Sequence, residues 1–422
     1  MMRYLSRSKW SLVLALSAVA SVLQFAAPAS ADEVTKWNLV TVNATKTGKL
    51  NSNLGSRVDA IEAIAVYDAV NAIEHFGSPY HYNKPAAGPA SPEAAAAEAA
   101  HDVLVHFFPA QQSDLDANLA SSLASIANRA EKSNGQSVGA AAALDIIALR
   151  SNDCSSPDVP YAATGVTGAG QWRPTPTAFA PGINSQWGTV TPFVLKSASQ
   201  LRPPAPPSVG SPAYNKASAE VKDIGSATST TRTADQTHIA RFYTQDAELP
   251  ANEAARILAE KHGTSLETNA LVFALVDIAV ADARVAISEA KYTYKFWRPV
   301  TALNANPDGT VTNNYSAWTP LLVTPPHPEY LSGHSATVAA SVDILKKFYG
   351  DADSLTIHTT TPGENARTVA NLSQIAEENG LSRIYGGIHF SFSNGRAQQV
   401  GREAAEYALK HGPHAFKNPE AK

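Results

Sequence analysis

The sequence predicts an all-α protein built as two helical bundles, and three observations carry that expectation. Apolar residues recur at helical spacing through long segments, alternating runs of strand type are few, and the periodic segments end in helix punctuation. The clearest segment is NLGSRVDAIEAIAVYDAVNAI, in which Val58, Ile61, Ala65, Val66, Ala69 and Ile73 fall on one face. Residues 91–106 open with Ser-Pro-Glu. Ser91 suits an N-cap, and Pro92 suits the first helical position, where its missing N–H loses no bond. Segments 113–129 and 136–150 continue the pattern, so a bundle is expected from about residue 53 to 150.

Residues 151 to about 212 change character, with QWRPTPTAFAPG and LRPPAPPSVG as extremes. A loop this long is either functional or a linker. Its Trp172, Phe179, Trp187, Phe193 and Leu195 argue that it packs on the bundles. Helices are expected again over 214–222, 234–243 and 251–258, then over a long segment, 265–294, closed by Pro299. Two more cover 334–349 and 394–410, and no internal repeat is evident. The chain divides into residues 1–31, an N-terminal bundle with its loop region over 32–230, and a C-terminal helical unit over 231–422.

Residues 1–31 read as a secretory signal: Arg3, Arg7 and Lys9 precede an apolar stretch that ends in Ala29-Ser30-Ala31. Removing them takes Lys+Arg from 33 to 30 against 37 Asp+Glu, a net charge near −7. An acidic exported protein lacks the basic face that nucleic acids require. The other strongly apolar stretch, 271–281, is interrupted by Asp277 and reads as a core helix, so no membrane span is expected after signal removal. The expected destination is secreted or periplasmic. A lone cysteine, Cys154, forbids an intramolecular disulfide, so stability rests on the core.

Three clusters carry the chemistry. Lys291 and Arg298-Pro299 lie in KYTYKFWRP; Ser332-Gly333-His334 lies in PPHPEYLSGHS; Ser382-Arg383 and His389 lie in SRIYGGIH. Lys291 and Arg298 are seven apart, two helical turns, so both point from one face if the helix persists that far. Ser332 can cap the helix that follows, and Gly333 lets an anion approach free amides at the helix N-terminus. Arg383 follows Asn379-Gly380, expected as a helix stop, and offers a fork of donors. Three cations, two imidazoles, a hydroxyl and a glycine amide are suited to holding a tetrahedral oxyanion and attacking or ligating its centre.

These residues resemble the three-part motif of the vanadium-dependent haloperoxidase and type-2 phosphatidic acid phosphatase superfamily. FWRPVTAL, WTPLLVTPPHPEYLSGHS and SRIYGGIHF are similar to its secreted bacterial haloperoxidase-like branch. The resemblance implies that His389 binds vanadate covalently, or acts as nucleophile on a phosphoryl group. It implies that Lys291, Arg298 and Arg383 neutralise the oxyanion, that Ser332 and the Gly333 amide hydrogen-bond it, and that His334 is the acid–base group. Phosphate is the competing occupant. The implied partners are hydrogen peroxide and a halide, or else a phosphate ester. His327 leans towards bromide in that family.

Two positions depart from the pattern: Leu331 stands where the family has proline, and Ser393 where it has the aspartate that orients the ligand histidine. Serine carries no charge, so His389 is expected to be a poorer ligand, and Ser393→Asp is expected to raise activity; Ser393 and Asn394 are candidate caps of the last helix. Three readings follow: a haloperoxidase, preferred; an exported acid phosphatase using the same pocket; and a non-catalytic oxyanion-binding protein. The oligomeric state is not encoded in any of these features.

Overall fold

A computed structural model describes residues 32–127, 129–166, 168–306, 310 and 315–416. The expected signal segment, 1–31, lies outside the described residues. The chain is all-α, as the periodicity predicts. The helices are α1 (Glu33–Thr47), α2 (Ser52–Glu74), α3 (Pro92–Phe107), α4 (Gln112–Ala124), α5 (Ala130–Arg150), α6 (Pro212–Ile224), α7 (Ala234–Phe242), α8 (Glu248–His262), α9 (Leu266–Tyr294), α10 (Pro299–Ala302), α11 (Gly333–Tyr349), α12 (Leu372–Tyr385) and α13 (Ser391–His411). Two small antiparallel ladders join β1 (Gly77–Ser78) to β4 (His414–Ala415) and β2 (Leu355–Ile357) to β3 (Arg367–Val369).

Helices α2, α3 and α5 pack on one another, and α9 packs against α2 as well as against α11 and α13. The central helix α9 is therefore buried almost all round, which is why its sequence is apolar on every face rather than amphipathic. Ser91 caps α3 as expected, accepting from Ala94 N at 3.1 Å with Pro92 next. The Pro/Gly-rich region packs as expected: Trp172, Trp187, Phe193 and Leu195 are buried, although Phe179 is exposed. Among the described residues, no helix is long and apolar enough to cross a membrane.

Several boundaries differ from the periodicity. The segment expected to run to residue 129 stops at Ala124, and α5 begins at Ala130 rather than near 136. Helices α1 and α10 were not anticipated, and α12 was signalled only by the stop expected at Asn379-Gly380. Val34, Thr35, Val40, Thr41, Val42, Thr45 and Thr47 give α1 a β-branched composition of weak helix propensity. Burial of Trp37 and Val42 and a cap from Asp32 to Thr35 N at 2.9 Å outweigh it.

A buried acidic group lies where α2 and α9 meet. Asp59, Glu62 and Asp277 are almost inaccessible to solvent. Among the described residues neither carboxylate oxygen of Asp277 has a well-formed hydrogen bond, the Asn252 side chain being the polar group beside it. Burial pushes Glu62 up to about 8, and Asp277 up to about 7. Their folded-state pKa values exceed those of the unfolded chain, so the fold holds protons that the unfolded chain has released. The associated stability is complete near pH 4 and is lost as pH rises through 7 and 8. We therefore expect the melting temperature to fall between pH 5 and 8.5. Asp277→Asn, which cannot ionise, should flatten that fall by an amount on the order of a few kcal/mol at the alkaline end. Thermal melts of parent and variant across this range check it; equally steep declines would contradict it.

Candidate active site

A cavity of about 250 Å³ opens between the C-terminal end of α9, the N-terminus of α11 and the turn between α12 and α13. Lys291, His327, Gly333, His334, Arg383 and His389 line it. Thus five of the seven residues singled out in the sequence reach the cavity wall. Arg298 and Ser332, both fully buried, lie behind it.

Lys291 sits in the last turn of α9, where its Nζ donates to the carbonyls of Pro328 at 2.8 Å and Glu329 at 3.0 Å. The expectation that Arg298 extends the same helix face is not met. The helix ends at Tyr294, and Lys295 turns left-handed at φ 47°. Segment 295–298 is held by other loops instead. Trp172 N donates to Lys295 O at 2.6 Å, Trp297 N to Gly170 O at 3.0 Å, and Glu329 N to Phe296 O at 2.9 Å. The Pro/Gly-rich region thus fixes the segment that carries Arg298.

Arg298 is a hub. Its Nε donates to His327 O at 2.9 Å, its Nη1 to Ile388 O at 2.9 Å and His389 Nε2 at 3.0 Å, and its Nη2 to His327 Nδ1 at 2.9 Å. A guanidinium can only donate, so His389 Nε2 is an acceptor. His389 therefore carries its proton on Nδ1, whereas His327 Nδ1 faces both the Arg298 donor and the Pro328 carbonyl at 3.2 Å.

Ser332 caps α11, its Oγ accepting from Ser335 N at 3.4 Å and lying 2.7 Å from Ser335 Oγ. Gly333 opens the helix beside the cavity. A Cβ at that position would meet only Ile287 Cδ1, at 3.6 Å, so the cavity is open beside this residue. His334 Nε2 donates to Gln245 O at 3.1 Å, which leaves Nδ1 as the lone-pair nitrogen. Burial, then Arg383 and Arg284, hold His334 well below the ordinary imidazole range, lower than the sequence suggested.

Asn379-Gly380 does not stop a helix: α12 runs on to Tyr385. Gly380 is needed there for close packing, because a Cβ would come within 2.4 Å of Asn394 Oδ1. Arg383 rises from the last turn of α12, oriented by Ser382 Oγ at 2.9 Å and the Tyr243 carbonyl. Burial and Arg298 bring it down to about 9, and burial brings Arg298 down to about 10, so both stay charged at neutral pH. Burial, with Arg298, holds Lys291 well below its usual value. Crowding three basic groups into a dry space disfavours the charge on Lys291, and an anion would relieve that repulsion and favour its ammonium form.

His389 Nδ1 lies 2.8 Å from Glu329 Oε1, which also accepts from Phe390 N at 3.0 Å. Burial pushes Glu329 up, while Arg298 and the Phe390 amide resist the rise. Burial, then Arg298 and Lys291, keep His389 neutral by holding it well below its usual value. Ser393 does not cap α13. Phe390 is the N-cap, and the Ser393 hydroxyl is buried without a hydrogen-bond partner.

Sequence reasoning missed Glu329, Arg284 and Ser288. Arg284 and Ser288 line the cavity, and the Arg284 Nη2 pairs with buried Glu248 at 2.7 Å. Their positions seven and three residues before Lys291 place them on its helix face, a signal hidden by the apolar run around them. Glu329 offered no such signal, because only the tertiary fold brings PPHPEY against SRIYGGIH.

An all-α double bundle with this cavity has the fold of the vanadium haloperoxidases. Superposition on a bacterial vanadium-dependent iodoperoxidase gives a TM-score of 0.79 at 24% identity, covering 92% of this chain and 98% of that one. A holo-type bacterial vanadium-dependent chloroperoxidase gives 0.69 at 17% identity, covering 85% and 91%. Residues 271–418 match the VCPO second helical-bundle domain. The C-terminal unit is thus similar in sequence to that domain, and the chain as a whole shares the fold of the vanadium haloperoxidases. It is also 25% identical to the vanadium chloroperoxidase of Curvularia inaequalis over 31% of this chain; the match spans only 29% of that protein's length.

Proposed function

We propose that the protein is an exported vanadate-dependent haloperoxidase that oxidises halide, bromide by preference, with hydrogen peroxide. The observation that carries this reading is the state of His389: a buried neutral imidazole with its proton on Nδ1 and its Nε2 lone pair met by Arg298 Nη1 at 3.0 Å, in a cavity that Lys291 and Arg383 also line. The donor set fits vanadate. A lone-pair nitrogen suits the metal centre, and Lys291, Arg298, Arg383 and the Gly333 amide suit the oxygens. Bound vanadate would supply a Lewis-acid centre that activates hydrogen peroxide towards attack by halide.

The protein's own residues do the rest in this proposal. His389 would hold the group through Nε2, with Arg298 passing its N–H from that nitrogen to an oxygen of the group. Lys291 and Arg383 offset its charge from the cavity wall and Arg298 from just behind it, where Ser332 would hydrogen-bond it. His334, neutral and with its lone pair on Nδ1, accepts a proton from peroxide and returns it to the departing oxygen. His327 lines the cavity beside this group, a neutral polar ring for a soft anion to approach, which supports bromide.

Phosphate competes for the same donors. A phosphatase is the second reading, because a neutral histidine with a fixed tautomer is equally a nucleophile. The test is dye bromination by the phosphate-free protein with vanadate, peroxide and bromide. We expect bromination that requires vanadate and is suppressed by phosphate. No bromination, with vanadate-sensitive release of phosphate from a simple ester, would replace this reading with the phosphatase.

A further inference from the structure

We infer that Glu329 is the positioning residue for His389, supplying from the loop before α11 the carboxylate that position 393 lacks. The inference rests on the oxyanion-site reading above and gives that site a residue not included in its motif. Glu329 is fully buried, which is costly for a carboxylate unless its contacts require it. Its Oε1 accepts both from His389 Nδ1 at 2.8 Å and from Phe390 N at 3.0 Å, so one oxygen grips the histidine at its ring and at the following backbone amide. Its own backbone is anchored to the same machinery: the carbonyl receives Lys291 Nζ at 3.0 Å, and the amide donates to Phe296 O at 2.9 Å. A shift of Glu329 would thus move Lys291 and His389 together.

The geometry allows one tautomer. Arg298 occupies Nε2 as a donor, so Nδ1 must carry the proton, and Glu329 is the acceptor that keeps it there. The other carboxylate oxygen, Oε2, is buried without a hydrogen-bond partner, and so is the hydroxyl of Ser393. The Ser393 hydroxyl lies close enough to Glu329 to hold its carboxyl down as a hydrogen-bond donor would, although it stands outside good hydrogen-bond geometry. A serine at 393 therefore leaves room for a carboxylate arriving from the other side. An aspartate there would set a second buried acid against Glu329, so the gain expected from Ser393→Asp in the sequence should not appear in the parent protein.

The test has two arms. First, nitrogen chemical shifts of 15N-histidine-labelled protein, with His389 assigned through His389→Ala, report the tautomer in the vanadate-free protein. We expect the Nδ1–H form in the parent and in Glu329→Gln, whose amide oxygen can still accept, and a mixture in Glu329→Ala. The Nε2–H form in the parent would overturn the inference without any variant being needed. Second, equilibrium dialysis against vanadate should show binding weakened about 10–100-fold in Glu329→Ala and less in Glu329→Gln. It should show no tightening in Ser393→Asp alone, and partial recovery when Ser393→Asp is added to Glu329→Ala. Equal affinity in parent and Glu329→Ala, or a tighter Ser393→Asp, would sink it. A parent that binds no vanadate would instead sink the proposed function, and the tautomer would still decide the role of Glu329.

Discussion

Replacing His389 with alanine should abolish vanadate binding while leaving the helical fold intact. The imidazole is the cavity's neutral lone-pair donor, and no neighbouring side chain can take its place. Arg298 and Lys291 only donate, and the Nδ1 lone pair of His334 belongs to a ring tied to Gln245. The structural cost is modest. Glu329 Oε1 keeps the Phe390 amide, and Arg298 Nη1 keeps the Ile388 carbonyl. Losing the ring's two hydrogen bonds and some packing amounts to about 1–3 kcal/mol. Equilibrium dialysis and 51V NMR measure the binding, and circular dichroism measures the fold. A folded variant that retains vanadate like the parent would mean that the site is misassigned.

The second large effect is expected at Arg298. Arg298→Lys keeps the charge but not the fork of donors. The guanidinium is fully buried and joins the His327 and Ile388 carbonyls to the two imidazoles. A lysine ammonium at the end of a flexible chain cannot reach them all, so at least two buried acceptors lose their partner, at about 1–3 kcal/mol each. We expect the urea midpoint to fall accordingly. Vanadate affinity should fall at least tenfold, because His389 loses the donor that fixes its acceptor nitrogen. An unchanged midpoint would show that Arg298 is not the hub described here.

These two residues also show what the sequence made legible. That Lys291, His334, Arg383 and His389 would meet in one cavity, with Arg298 just behind it, was suggested by the order and spacing of local motifs. The fold class could be read from helical periodicity. How the motifs are held could not. Lys291 and Arg298 look like one helix face, yet a left-handed Lys295 and the distant loop around Trp172 separate them. Asn379-Gly380 looks like a stop, yet tertiary packing against Asn394 carries α12 through it. Ser393 looks like a defect, yet the carboxylate beside His389 arrives from sixty residues upstream. In each case the deciding contact is long-range, and local propensity says nothing about it.

The most direct measurement is diffraction from crystals grown without phosphate and equilibrated with vanadate. The account predicts vanadium bonded to His389 Nε2, with its oxygens held by Lys291, Arg298 and Arg383 and the Gly333 amide. Vanadium bonded to another residue, or a cavity that stays free of vanadium at saturating concentration, would contradict it.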